Sequence, residues 1–375
     1  MALNCGIVGL PNVGKSTIFS ALSGAAAEAA NYAFCTINPN IGIVNVPDER
    51  LDRLAGIFKP QRTIPAAVEF VDIAGIVRGA SKGEGLGNQF LSHIREVGMI
   101  AQVVRCFDDP DIIHVNNKVD PRSDMETVNI ELALADLETL VKRRERAQRA
   151  LKVQAKAEQK QAETVLAALE KIGPVLEQGG PVRAAELTEE EGAAVYDCHF
   201  MTAKPQIYVC NVDEEAMRNM AANAAGNSYT EAVRERAEAE QSAVVVICGK
   251  FEAELLAIED PEEKRAFLEE LGLKESGLSA LIHAAYRLLG LQTFFTAGAD
   301  ECRAWTIHAG DRAPRAAGVI HTDFEKGFIK AEVYSCGDIF QYGTEAKIKE
   351  AGKYRVEGKD YLVQDGDVMF FKFNV

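Results

Sequence analysis

Apolar and polar positions alternate along the first third of the chain in blocks of strand and helix length. Short apolar runs at Cys5–Val8, Ala67–Val71 and Ile100–Cys106 predict buried strands. Amphipathic stretches at Ser16–Leu22 and near Asn88–Val97 predict helices. This βα alternation implies a parallel sheet with helices on both faces. From about residue 126 to 172 glycine and proline vanish, and Ala, Leu, Glu, Lys, Arg and Gln dominate, which favours long helices. The breakers Gly173-Pro174 and Gly179-Gly180-Pro181 are expected to end that stretch. A second helix is expected from Thr188, where Thr188 and Glu191 have the spacing of a capping box. Residues 126–199 thus read as a helical hairpin inserted into an α/β domain.

The α/β pattern resumes at Pro205, with strand-like Gln206–Cys210 and Ala243–Ile247 and helix-like Glu252–Leu256 and Leu278–Leu289. After about residue 290, short β-rich pieces at Arg303–His308, Phe328–Val333, Tyr361–Val363 and Val368–Phe373 are separated by Gly, Asp and Asn turns. The expected organisation is one α/β domain in two parts, 1–125 and 200–290, a helical insertion at 126–199, and a β-rich domain at 291–375.

Composition narrows the function classes. The chain has 375 residues, 47% of them hydrophobic, and a net charge of −15. That is ample for a buried core and excludes a disordered chain. No apolar run approaches the roughly 18 residues of a membrane span, and the start does not resemble a signal peptide. The eight cysteines form no CxxC pair and mostly sit in apolar runs, so they read as buried thiols of a cytoplasmic protein. Global charge argues against wrapping nucleic acid, and no DNA partner is expected.

Gly9-Leu10-Pro11-Asn12-Val13-Gly14-Lys15-Ser16-Thr17 fits GxxxxGK[ST] between a strand and a helix, the context that a phosphate-binding P-loop requires. The backbone N–H groups and the helix N-terminus suit phosphates. Lys15 is the expected partner of the β- and γ-phosphates, and the Ser16 hydroxyl of Mg²⁺. Asp72-Ile73-Ala74-Gly75 closes a strand. Asp72 is placed to hold Mg²⁺, usually through water, and the Gly75 N–H to sense the γ-phosphate. Thr36, in the stretch 31–36 between these motifs, is the expected second hydroxyl on Mg²⁺. Residues 78–89, with four glycines, read as a switch loop.

A guanine-specific site of this architecture carries NKxD, whose Asp accepts from guanine. Here a strand runs into Asn211-Val212-Asp213-Glu214: Asn211 fits, Val212 replaces the lysine, and Glu214 replaces the Asp with a longer side chain. Displacing that carboxylate weakens guanine selection, because unmet polar groups discriminate. Adenine is the better expectation, with GTP left open.

Together these motifs resemble the YchF/Obg-like ATPase family of translation-factor-related P-loop NTPases. The resemblance covers nearly the whole chain. It rests on GLPNVGKST (9–17), NYAFCTINPN (31–40), DIAGIVRGASKGEGLGNQFL (72–91), NVDEE (211–215), FEAEL (251–255) and GVIHTDFEKGFIKAEV (318–333). It implies an α/β fold: a P-loop NTPase domain with an inserted α-helical coiled-coil hairpin and a C-terminal β-grasp domain of the ubiquitin-like TGS type. It implies ATP hydrolysis with Mg²⁺ and association with ribosomes, their RNA and proteins, in regulating translation or a stress response, against a GTPase of the same fold or a nucleotide-controlled binding switch with negligible turnover. The base contacts are expected from Asn211, Val212 and Glu214, and the phosphate contacts from Asn12, Val13, Gly14, Lys15, Ser16 and Thr17. Two positions depart from the family pattern: Ala33 stands where proline is usual, and Cys248-Gly249 where Ser-Ala is common.

Ras-like GTPases place a water-orienting glutamine directly after DxxG, where this chain has Ile76. His114, after the strand that ends near Phe107, is the candidate for that role, against a purely structural histidine. Asn12 resembles a P-loop asparagine of NTPases that use K⁺, against simple turn chemistry beside Pro11. Finally, Lys142–Lys160 carries eight Lys or Arg against two Glu and no aromatics, a net +6. Such an arm suits backbone contacts with ribosomal RNA, against a merely solvated helix face. The β-rich C-terminal part carries no catalytic constellation and reads as a binding module, with Trp305 in its core.

Overall fold

A computed structural model describes residues 4–28, 40–73, 75, 79, 86–152, 155–221, 227–258 and 260–374. Twelve strands run along these residues: β1 (Asn4–Gly9), β2 (Ile41–Asn45), β3 (Arg62–Ile64), β4 (Ala67–Asp72), β5 (Met99–Arg105), β6 (Gln206–Asn211), β7 (Ala243–Ile247), β8 (Leu291–Ala297), β9 (Glu301–His308), β10 (Phe328–Ser335), β11 (Arg355–Glu357) and β12 (Asp367–Phe373). They form two six-stranded sheets, ordered β2-β4-β1-β5-β6-β7 and β11-β10-β12-β8-β9-β3. The chain divides into two compact units, residues 1–42 with 69–284 and residues 43–68 with 285–375. No helix among the described residues is long and apolar enough to cross a membrane.

In the first unit β1 pairs in parallel with β4 and β5, β5 with β6, and β6 with β7. Every residue of β5 and β6 is buried, as expected of central strands covered on both faces. The parallel register places Ile7 beside Asp72, Gly9 beside Val103, and Arg105 and Ile247 on either side of Asn211. The sheet therefore lines up the P-loop, the DxxG aspartate and the NVDE turn along one carboxyl-end edge, where α/β folds bind ligands.

The helical insertion differs from the sequence reading in four ways. Its first helix begins at Pro121, capped by Asp120, whose side chain accepts from the Ser123 N–H. Proline is no obstacle at a first helical turn, which has no partner for its N–H. That helix ends at Ala150 and the next runs Lys156–Glu177, so the hairpin turns without glycine or proline. The second helix also continues through Gly173-Pro174. Packing outweighs the missing hydrogen bond: Val165, Leu169, Ile172 and Leu176 are buried against Leu140 and Ala147. Gly173 is a close approach, since a Cβ there would lie 3.2 Å from Arg144 Nη2. The Thr188–Glu191 capping box is present, but it starts a helix of only seven residues, Glu189–Val195. Asp136 pins the exit of the insertion. It is buried, accepts from the N–H groups of Met201 and Thr202 at 2.9 and 2.8 Å, and accepts from the Thr202 hydroxyl at 2.7 Å. Burial pushes its carboxyl above the usual range, and these three donors pull against that shift.

In the second unit the ladders β8/β9, β10/β12 and β10/β11 are antiparallel, and β12/β8 and β3/β9 are parallel. Phe294, Ile307, Val333 and Phe371 pack with Ala313, Ala316 and Ala317 of the helix Ala313–Ile320. Trp305 packs against this core, and its indole N–H donates to Thr296 Oγ1 at 2.9 Å. The piece Tyr361–Val363, expected as a strand, forms only an isolated bridge, Arg312 with Leu362. Residues 43–68, assigned by sequence to the first part of the α/β domain, group with this unit through β3. The seven described cysteines are free and buried.

Candidate functional site

The P-loop connects β1 to the helix Lys15–Glu28. Asn12 and Gly14 have φ of 63° and 88°. Asparagine tolerates that left-handed region; Gly14 is required there for a further reason. A Cβ at Gly14 would collide with the Asn211 amide. A Cβ at Gly9 would lie 2.8 Å from the Val103 carbonyl oxygen, and one at Gly75 3.5 Å from that of Gly9. The loop is thus packed tightly against β5, the DxxG segment and the NVDE turn.

A cavity of about 1000 Å³ opens over this loop. Asn12, Gly14, Lys15, Ser16, Thr17 and Gly75 contribute to its wall, and so do Asn211, Val212 and Glu214. Lys15, part of that wall, forms an ion pair with Asp72, which does not itself line the cavity. Sequence motifs separated by up to 200 positions therefore meet in one place.

Asn211 holds these pieces together. Its Nδ2 donates to the Val13 carbonyl at 2.9 Å, and its Oδ1 accepts from the Gly249 N–H at 3.1 Å. The residue is 5% exposed. With both polar atoms engaged, it clasps the P-loop to the loop after β7. Gly249 fits this role because a Cβ there would only reach ordinary contact with Asn211 Oδ1, at 3.5 Å. Val212 is buried behind it. Asp213 is a cap, accepting from the Ala216 N–H at 2.8 Å. Glu214 is paired with Lys250 at 2.9 Å and Arg218 at 3.4 Å. The Lys250 hydrogen bond holds the Glu214 carboxyl below its usual range.

Sequence reading missed the wall opposite. Phe107, Asp108, Asp109 and Ile112 line the cavity, and Arg105 shapes them. Arg105 is 1% exposed, and its guanidinium donates to the carbonyls of Phe107, Asp109 and Ile112 at 3.1, 3.2 and 2.9 Å. Three carbonyl acceptors satisfy a buried cation that has no carboxylate hydrogen-bonded to it. Lys250 was also missed; nothing in the Cys248-Gly249 signal announces its bond to Glu214.

Two candidate residues stand differently in the structure, and a third group lies outside it. His114 does not line the cavity. Its ring is buried, with Nε2 2.9 Å from Asp124 Oδ2 and Nδ1 accepting from the Asn116 N–H at 3.1 Å. In this arrangement neither nitrogen is available to a water, and the residue holds the 111–120 loop. Asn12 Nδ2 donates to the Ile113 carbonyl at 3.0 Å. This bond and the left-handed backbone suit turn chemistry beside Pro11. Thr36, Ile76 and most of the 78–89 loop lie outside the described residues.

Removing the clasp tests this geometry. Asn211→Ala leaves the Val13 carbonyl and the Gly249 N–H without their partner, at a cost of about 1–3 kcal/mol. Denaturant unfolding is expected to show that loss, and calorimetric titration a nucleotide affinity weaker by about tenfold. Parental stability together with parental affinity would refute the assignment.

A family model described as a 50S ribosome-binding GTPase matches residues 4–143. A model of the YchF GTPase C-terminal domain, described as a protein of unknown function, matches residues 291–374. The chain is 56% identical to the "Ribosome-binding ATPase YchF" of Escherichia coli O157:H7 over 375 residues, covering 100% of both chains. It is 53% identical to the protein of that name from Bacillus subtilis, again over 100% of both. Among solved structures, the Schizosaccharomyces pombe YchF GTPase matches with a TM-score of 0.87 at 38% identity, over 98% of this chain and 97% of that one. With full-length relatives at this identity, the chain belongs to the YchF family.

Proposed function

We propose that the chain is a ribosome-binding ATPase, which binds ATP in the P-loop cavity and hydrolyses it slowly to ADP and phosphate. The observation that carries this reading is the cradle itself: a P-loop closed around Gly14, clasped by Asn211, with Lys15 paired to Asp72. Full-length relatives named ribosome-binding ATPases support it, and a ribosomal partner points to the cytoplasm. The name of the S. pombe structure keeps GTP as the second reading.

Lys15 acts first. An arriving triphosphate carries more charge than the Asp72 carboxylate and competes for the ammonium. Asp72 is then released to face the cavity. Ser16 and Asp72 supply hard oxygens suited to Mg²⁺. Among the described residues no cluster of three or more metal-binding side chains exists, so such an ion would rely on the phosphates for its remaining ligands. When bound it would neutralise charge on the β- and γ-phosphates. Thr36 is the proposed second hydroxyl. Base choice rests on Glu214. Its carboxylate is committed to Lys250 and Arg218, so it is poorly placed to accept two N–H groups from guanine.

The hairpin supplies the ribosome contact. Its exposed cations include Arg149, Lys152 and Lys156. Arg143, by contrast, turns inward to the Ala194 carbonyl and Asp197, and Arg144 lies beside Gly173. The C-terminal β-rich unit is read as a TGS-type binding module. His114 enters catalysis only if its bonds to Asp124 and Asn116 break.

Three measurements test these statements. Calorimetric titration is expected to show ATP binding about tenfold more tightly than GTP; the reverse order would establish the GTPase reading. With both ring nitrogens engaged, His114→Ala is expected to lower stability and leave kcat near the parental value; a lowered kcat with nucleotide affinity preserved would return the histidine to catalysis. Neutralising Arg149, Lys152 and Lys156 together is expected to weaken ribosome binding and flatten its salt dependence, whereas indifference to both would remove the arm from the interface.

A further inference from the structure

A second cavity, of about 900 Å³, opens at the root of the helical hairpin, between the Pro121–Ala150 helix and residues 182–205. It shares no lining residue with the P-loop cavity. Six cationic side chains line it: Arg95, Lys142, Arg143, Arg146, Arg183 and Lys204. Only two carboxylates, Glu96 and Asp197, stand with them. In a chain of net charge −15 this is a sharp local reversal, and a concave wall focuses such a potential. Among the cations the lining also includes Val97, Val195 and Phe200, all buried.

The cations are held in place but only partly neutralised. Arg183 is spent on Glu240 at 3.1 Å. Lys204 donates to the carbonyls of Arg95 and Val97, which keep it fixed without cancelling its charge. Burial pulls its ammonium down to about 8. Arg143 Nη2 meets Asp197 at 3.2 Å, a carboxylate that is 62% exposed and therefore well screened. Arg143 Nε is buried and has no hydrogen-bond partner. Lys142 comes no nearer to Glu138 than 4.0 Å, and both are largely exposed.

We propose that this cavity is a second ligand site, for a small organic phosphate with an aromatic or apolar body, of nucleotide or coenzyme size. The volume lies within the range of about 300–1,000 Å³ typical of small-molecule sites, which combine apolar walls with a few placed polar groups. Guanidinium groups are suited to phosphate because their N–H forks match its oxygens. Arg143 and Arg146 would meet the phosphate, and Val97, Val195 and Phe200 the body of the ligand.

The test uses the full chain carrying Lys15→Ala, which disables the P-loop cavity; Lys15→Met serves the same purpose if that variant fails to fold. The probe is anilinonaphthalene sulfonate, an anion with an aromatic body, followed by calorimetry and by its fluorescence. One saturable site is expected, weakened by added salt and competed by ADP. The exposed residues Lys142 and Arg146 allow a charge reversal that spares the core. Lys142→Glu with Arg146→Glu is expected to weaken the probe about tenfold, with the circular dichroism spectrum unchanged. Unchanged affinity in that double variant, or non-saturating binding, would overturn the site. Competition by a single-stranded oligoribonucleotide but not by ADP would overturn the small-molecule assignment in favour of RNA.

Discussion

The site depends on one side-chain amide. Asn211 sits at the carboxyl end of β6 and bonds in two directions, to the Val13 carbonyl and the Gly249 N–H. Each bond is modest in net terms, but both groups are buried, and a buried polar group without a partner is expensive. The amide therefore sets the spacing between the phosphate loop and the loop after β7. Gly14 is the counterpart of this constraint, since any side chain there would collide with the amide.

The parallel sheet makes the clasp possible. Parallel strands bring all their carboxyl ends to one edge, so Gly9, Asp72, Arg105 and Asn211 emerge side by side although they lie far apart in the chain. Arg105 then does for the opposite wall what Asn211 does for the P-loop, gathering three carbonyls around a buried guanidinium. Both devices use polar side chains as internal staples, and both place loops that carry the chemistry on a rigid support.

Charge is distributed as unevenly as structure. The net −15 conceals a hairpin whose sequence reads +6 between Lys142 and Lys160. Folding divides that basic run further. Arg143 faces inward, Arg144 packs on Gly173, and Arg149, Lys152 and Lys156 face solvent. One run of cations thus supplies both the exposed arm and part of the cavity at its root, because helical periodicity sends neighbouring residues to different faces.

Local patterns were enough for the strands β1, β4 to β7, β9, β10 and β12, because their apolar runs differ from everything around them. The P-loop, DxxG and NVDE motifs were equally legible, since backbone geometry demands glycine and phosphate chemistry demands Lys15 and Asp72. Other features were not legible. The hairpin turn at 151–155 has no breaker, and the helix through Pro174 survives because packing outweighs a lost hydrogen bond. The grouping of residues 43–68 with the C-terminal unit depends on a three-residue strand paired more than 230 positions away and on side-chain contacts such as Arg50 with Asp365. The engagement of His114 by Asp124, the tether from Glu214 to Lys250, and the division of the basic run are likewise relations between side chains. A sequence determines which residues favour a strand, a turn or a phosphate. Which polar groups partner one another is decided only when the fold brings distant segments within hydrogen-bond reach, because those forces act over a few ångströms in space and not along the chain.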